Sequence, residues 1–114
     1  IQYALTYPRH LSSNWERLDF TNIKDLTFEA PNIERFPCIA LAYKALSKKG
    51  SAAAVLNFAN DYSVFRFLEE EIKFTDIPKI IDLAMDNHQW VECPNLDDLK
   101  GLDLWTKDFV KNFD

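Results

Sequence analysis

From Pro37 onward the apolar residues fall at helical intervals, and a chain that keeps this period over most of its length buries its hydrophobic surface by packing helix against helix. The clearest stretch is Ile77, Ile80, Ile81, Ala84, Met85 and His88, spaced i, i+3, i+4, i+7, i+8 and i+11, with Lys79, Asp82 and Asp86 on the opposite face. Thr75 is its expected N-cap, with Asp76 and Pro78 in the first turn. An earlier helix is expected to start at Pro37, with apolar residues at 38, 39, 42, 45 and 46, and to end at Lys48-Lys49-Gly50. Between them, about Ser51 to Glu70, Ala52, Val55, Leu56, Ala59, Val64, Phe67 and Leu68 cover most of the helical circumference, the mark of a central helix. Glu69-Glu70-Glu71 opposes the macrodipole at its C-terminus and helps to end it. Trp90 to Pro94 reads as a loop, and Asn95 as the cap of a short turn from Leu96 to Lys100 that Gly101 breaks. Asp103 then caps a last helix bearing Leu104, Trp105, Phe109, Val110 and Phe113. The expectation is a mainly α fold, an antiparallel bundle of about four helices over residues 33–114.

Residues 1–32 have a different texture. Ile1-Gln2-Tyr3-Ala4-Leu5-Thr6-Tyr7 reads as an apolar, β-prone strand, and Leu26-Thr27-Phe28, closed by Pro31, as a second short one. Between them Pro8-Arg9-His10 and Ser12-Ser13-Asn14 make an irregular stretch. This is an extended connector with two short strands, and its Tyr3, Tyr7 and Trp15 call for a partner surface. A chain opening in mid-strand without methionine reads as a piece of a longer one.

Glycine excludes one large class of function. Loops that cradle nucleotide phosphates need positive φ and close backbone approach, and Gly50 and Gly101 stand alone, so neither a G-x-G-x-x-G nor a P-loop is present. No apolar run approaches the ~20 residues that cross a bilayer. Residues 1–57 carry seven Lys/Arg against five Asp/Glu, whereas residues 58–114 carry six against thirteen. That acidic half repels nucleic acid and anionic membrane, so neither is an expected partner.

Few residues carry chemistry. Cys38 and Cys93 lie far apart with no C-x-x-C, Cys38 on an apolar helical face and Cys93 in a loop, and both read as reduced thiols. A cysteine nucleophile would need His10 or His88 within reach. His88, at the end of its helix, reads as a structural cap of carbonyls, and His10 as a loop residue. Glu69, Glu70 and Glu71 fan around a helix and do not converge on a metal. The most informative group is Asn57, Asn60 and Asp61, at i, i+3 and i+4 within the apolar central helix. Buried amides are costly unless paired, so the three read as a structural polar tie to neighbouring backbone, with a ligand site as the alternative.

That helix also carries a resemblance. Leu56-Asn57-Phe58-Ala59-Asn60-Asp61, continuing through Val64 to Phe67-Leu68, resembles the L-N-A-A-N-E-x-x-V-x-x-F-L signature of the 1-deoxy-D-xylulose 5-phosphate reductoisomerases. Ile1 to Arg9, Leu18-Asp19-Phe20, Leu26-Thr27-Phe28 through Phe36-Pro37-Cys38 and Leu41-Ala42, and Ile72 to Ile77 match in order, over about residues 1–88. The resemblance implies a parent enzyme of non-mevalonate isoprenoid biosynthesis that makes 2-C-methyl-D-erythritol 4-phosphate using NADPH and a divalent cation, Mg or Mn. It implies upstream NADPH-binding and catalytic domains in the same chain, a homodimeric parent, and a bacterial cytoplasmic or plastid-type location. Residues 1–32 then correspond to the end of the central catalytic and dimerisation domain, and residues 33–114 to the C-terminal helical bundle. No catalytic, cofactor-binding or metal residue carries over, and the fragment alone is expected to be inactive. Phe58 stands where the family has a small alanine, and Asp61 where it has glutamate; overpacking at the first would cost about 1–3 kcal/mol. The alternative is a stand-alone helical module that binds a protein partner through Tyr3, Tyr7 and Trp15.

Overall fold

The computed structural model describes residues 1–23 and 26–113. It contains five α-helices among them: α1 (Gln2–Thr6), α2 (Cys38–Lys48), α3 (Ala52–Leu68), α4 (Ile77–Asn87) and α5 (Leu96–Lys111), with a 3-10 turn at Phe74–Asp76. The chain divides into two compact units, Ile1–Ala30 and Pro31–Asp114.

The second unit is a helical bundle built about α3. The face anticipated on α4 is the buried one: Ile77, Ile80, Ile81, Ala84, Met85 and His88 are all withdrawn from solvent. They meet Ala52, Val55 and Ala59 of α3, Leu41 and Ala45 of α2, and Leu102 and Val110 of α5 in a single apolar core. Full burial of a side chain such as Ile80 or Met85 contributes about 1.5–3 kcal/mol. The small residues of α3 let its neighbours approach closely, and buried Ser63 on the same face has no hydrogen-bond partner for its hydroxyl.

Side-chain ties give the helix directions. Ser51, at the start of α3, bonds His88 at the end of α4, so these two helices oppose. Tyr62 and Arg66 reach Asp103 and Val110, so α3 and α5 run the same way. Lys44 of α2 bridges Asp82 and Asp86 of α4 at 2.7 and 3.0 Å. Because this bridge lies on the surface, it orients more than it stabilises.

The turn between α2 and α3 requires a glycine. Gly50 has φ +54°, and a β-carbon there would collide with the Val91 carbonyl oxygen and come within 2.9 Å of the Trp90 indole. The turn therefore lies directly under the loop that follows α4.

Several expectations are corrected. No strand occurs among the described residues, and Gln2–Thr6 is one helical turn. The alternation Ile1, Tyr3, Leu5, Tyr7 also contains an i, i+4 pair. In the helical turn Tyr3 packs edge-on against Tyr7 at 5.7 Å and stacks on His10 at 4.5 Å. Residues 26–28 have no regular secondary structure, since a strand needs a neighbour to complete its hydrogen bonds. Gly101 breaks nothing: α5 runs continuously through it, with open space around its α-carbon. A mid-helix glycine costs only about 1 kcal/mol against alanine, less than the burial of Leu102, Thr106 and Val110 beyond it recovers. Asp103 consequently caps no helix. Asn95 starts α5, its side chain accepting from the Asp97 and Asp98 N–H groups while the Asp98 carboxylate accepts from the Asn95 N–H. The N-cap position of α4 is held by Asp76, whose carboxylate caps the preceding 3-10 turn by accepting from the Lys73 N–H and also accepts from Lys79 Nζ, without bonding an N–H of α4; Thr75 lies inside the 3-10 turn. Cys38 shares the face of Leu41 and Ala45 but is exposed, because as the first residue of α2 it lies at the helix end, beyond the buried Leu41.

Candidate functional site

The best-developed polar cluster joins the start of α3 to the end of α4. The Ser51 side chain is 0% exposed and His88 only 6%. Met85 O accepts from His88 Nδ1 at 2.9 Å and from Lys48 Nζ at 2.8 Å. A carbonyl only accepts, so Nδ1 carries the proton and Nε2 is left as an acceptor. Ser51 Oγ accepts from the Val91 N–H at 2.9 Å and donates its own hydrogen to His88 Nε2, 3.0 Å away. The Ser51 N–H donates to Val91 O at 2.9 Å, and Trp90 Nε1 donates to Lys49 O at 3.3 Å. Burial lowers the His88 pKa, reinforced by Lys48 and partly offset by the hydrogen bond to Met85 and by Asp86.

A serine beside a histidine invites a nucleophilic reading, but both ring nitrogens of His88 are engaged and Ser51 is sealed from solvent. No substrate carbonyl can reach that hydroxyl. The cluster clamps the 89–92 loop onto the bundle; of the carbonyl capping read for His88, the structure has the one bond to Met85 O. The sequence hid Ser51, because the pair is separated by 37 residues.

A second tie secures the far end. Half-buried Arg66 donates through Nη1 to Val110 O and Phe113 O, at 2.6 and 2.8 Å, and through Nε to Glu71 at 2.9 Å. It supplements the long backbone bond from the Phe113 N–H to Val110 O, at 3.3 Å, and gives Phe113 O, just past the end of α5, a donor. Beside it the Tyr62 hydroxyl donates to Asp103 at 2.8 Å, which raises the tyrosine's pKa. Neither residue stood out in the sequence, although a lone arginine in an apolar helix facing an acidic segment was a signal available to find it.

Asn57, Asn60 and Asp61 share the expected stripe, but not the expected burial. Asn57 and Asp61 are exposed and Asn60 half-buried, and none makes a side-chain hydrogen bond among the described residues. The reason is rotational: Val55, Ala59 and Ser63 define the inner face of α3, and the three polar residues lie on the other side. Phe58, at the alanine position of the motif, is half-buried at the edge of the core and not in its centre. Among the described residues no group of three or more His, Cys, Asp or Glu side chains could hold a metal ion. Cys38 and Cys93 are both exposed and free, and His10 is stacked on Tyr3. A cavity of about 320 Å³ along α5 is lined by Trp105, Phe109 and Phe113 with Asp108 and Asn112, and its one carboxylate has no second acid, histidine or cysteine beside it in the lining.

Comparison with known proteins extends the likeness through α5. The model of the DXP reductoisomerase C-terminal domain matches residues 1–109. The 1-deoxy-D-xylulose 5-phosphate reductoisomerase of Acetivibrio thermocellus is 47% identical over 111 residues, covering 97% of this chain and 29% of that protein. That of Chloroherpeton thalassium is 48% identical over 110 residues, covering 96% and 28%. Among solved structures, the Zymomonas mobilis enzyme in complex with NADPH superposes with a TM-score of 0.86 at 34% identity, over 96% of this chain and 29% of that one. A reductoisomerase structure with NADPH, fosmidomycin and magnesium gives 0.84 at 30% identity, over 96% and 29%. The chain thus spans under a third of the length of these relatives, and within that span it belongs to the family of DXP reductoisomerase C-terminal domains.

Proposed function

We propose that this chain is the C-terminal part of an NADPH-dependent reductoisomerase that converts 1-deoxy-D-xylulose 5-phosphate to 2-C-methyl-D-erythritol 4-phosphate. The observation that carries this reading is the match of nearly the whole chain to the C-terminal domain of that family at 47% identity. In this reading residues 33–114 are a structural bundle that buttresses the catalytic domain. Residues 1–32 are the connector that ends that domain, and their exposed Tyr7 and Trp15 suit them to lie against it. NADPH and a divalent cation, the ligands named for the solved relatives, would be held by the upstream domains. The parent works as a cytoplasmic or plastid-type homodimer. The 114-residue chain contributes packing and no reacting group.

The test is direct. Incubated with 1-deoxy-D-xylulose 5-phosphate, NADPH and Mg²⁺, the complete polypeptide should oxidise NADPH, and the isolated 114-residue chain should not. Turnover by the isolated chain, or none by the complete polypeptide, overturns the reading.

A further inference from the structure

The sequence of α3 and its surroundings disagree in one respect. Its apolar residues run all round the helix, as in an element buried on every side, yet one face is open. Phe65 and Leu68 are each 66% exposed, in line with exposed Asn57 and Asp61, and half-buried Asn60 stands at the margin of the same side. At 100° per residue, positions 57, 61, 65 and 68 fall within one sector of under a quarter-turn, running about 16 Å along the helix. We infer that this outer stripe of α3 is the seat of the preceding domain of the same polypeptide, with Phe65 and Leu68 as apolar anchors and Asn57, Asn60 and Asp61 as hydrogen-bonding partners.

The inference rests on the reading proposed above, and three observations choose the occupant. The relatives carry most of their length outside the matched region, and that region is their C-terminal domain, so a cover of ample size precedes it. The stripe mixes amides, a carboxylate and two large apolar side chains, the composition of a contact between domains of one chain, which is more polar than a core or an obligate dimer interface. A second copy fits poorly. Asp61 lies near the middle of the stripe, and a twofold pairing of the stripe with itself would set Asp61 against its symmetry mate. The seated surface should therefore offer N–H donors opposite Asp61, donors and acceptors opposite the two amides, and an apolar pocket for Phe65 and Leu68.

Hydroxyl-radical footprinting of the complete polypeptide tests this, with each residue's labelling rate referred to its rate in the denatured protein. Phe65 and Leu68 should be protected as strongly as Val55 and Ile80, and equally at high and low protein concentration. Labelling of Phe65 and Leu68 at the denatured rate overturns the inference. So does protection that disappears on dilution, which would identify a second copy. NADPH oxidation by the same preparation separates the two failures. An active enzyme with an unprotected stripe sinks the seat alone, whereas an inactive one with a protected stripe sinks the proposed activity and leaves the domain contact standing.

Discussion

His88 enters the fold as a neutral ring, because Met85 can only accept from one nitrogen while Ser51 donates to the other. Protonation would place an N–H against a hydroxyl already donating toward it, near Lys48 and with Asp86 only partly offsetting. The folded pKa lies below that of the unfolded chain, so the unfolded state takes up the proton first. Stability is therefore fully present above the unfolded value, about 6.5, and is lost progressively as pH falls below it. Denaturant midpoints measured from pH 8 downward should decline through this window, and a His88→Gln variant should flatten the decline. The helical spacing located His88 but not its partner, since a side chain's position along its own helix says nothing about what a distant turn brings to it. Asn57, Asn60 and Asp61 show the converse. Their shared stripe was legible, but periodicity does not tell which side of an all-round apolar helix faces the core.

Helix α4 was legible because its apolar and charged faces separate cleanly. The ends and interruptions of the other helices were less so, since they are decided by tertiary contacts. Gly101 looked like a break, yet burial farther along α5 overrides it. With open space around its α-carbon, Gly101→Ala should stabilise the chain by roughly 0.5–1 kcal/mol, read as a higher thermal midpoint. The end of α5 depends on Arg66. Replacing it with methionine keeps much of the stem but takes the side-chain donor from Phe113 O and leaves Val110 O only a backbone N–H, that of Phe113 at 3.3 Å. Arg66→Met should cost about 1–3 kcal/mol and speed amide exchange in the last turn of α5, while the core-facing turns of α4 exchange as before. Helix α1 was misread for another reason: five residues of alternating pattern fit a strand and a single helical turn equally well, and only a neighbouring strand could have decided between them.

The fully withdrawn apolar residues all belong to Leu41–Val110, and none of the described residues of Ile1–Ala30 is buried. The folding free energy of this chain therefore resides in the second unit. A shortened chain of residues 31–114 should melt within a few degrees of the full 114 residues, with equal cooperativity; a collapse of the transition would show that the first unit stabilises the bundle. The Ser51 hydroxyl gives that unit an unusual property. Its hydrogen is held between oxygen and an imidazole nitrogen with no path to water while α3 and α4 stay together. It is a captive proton, and its exchange lifetime in a proton NMR spectrum becomes a clock for how often the bundle breathes.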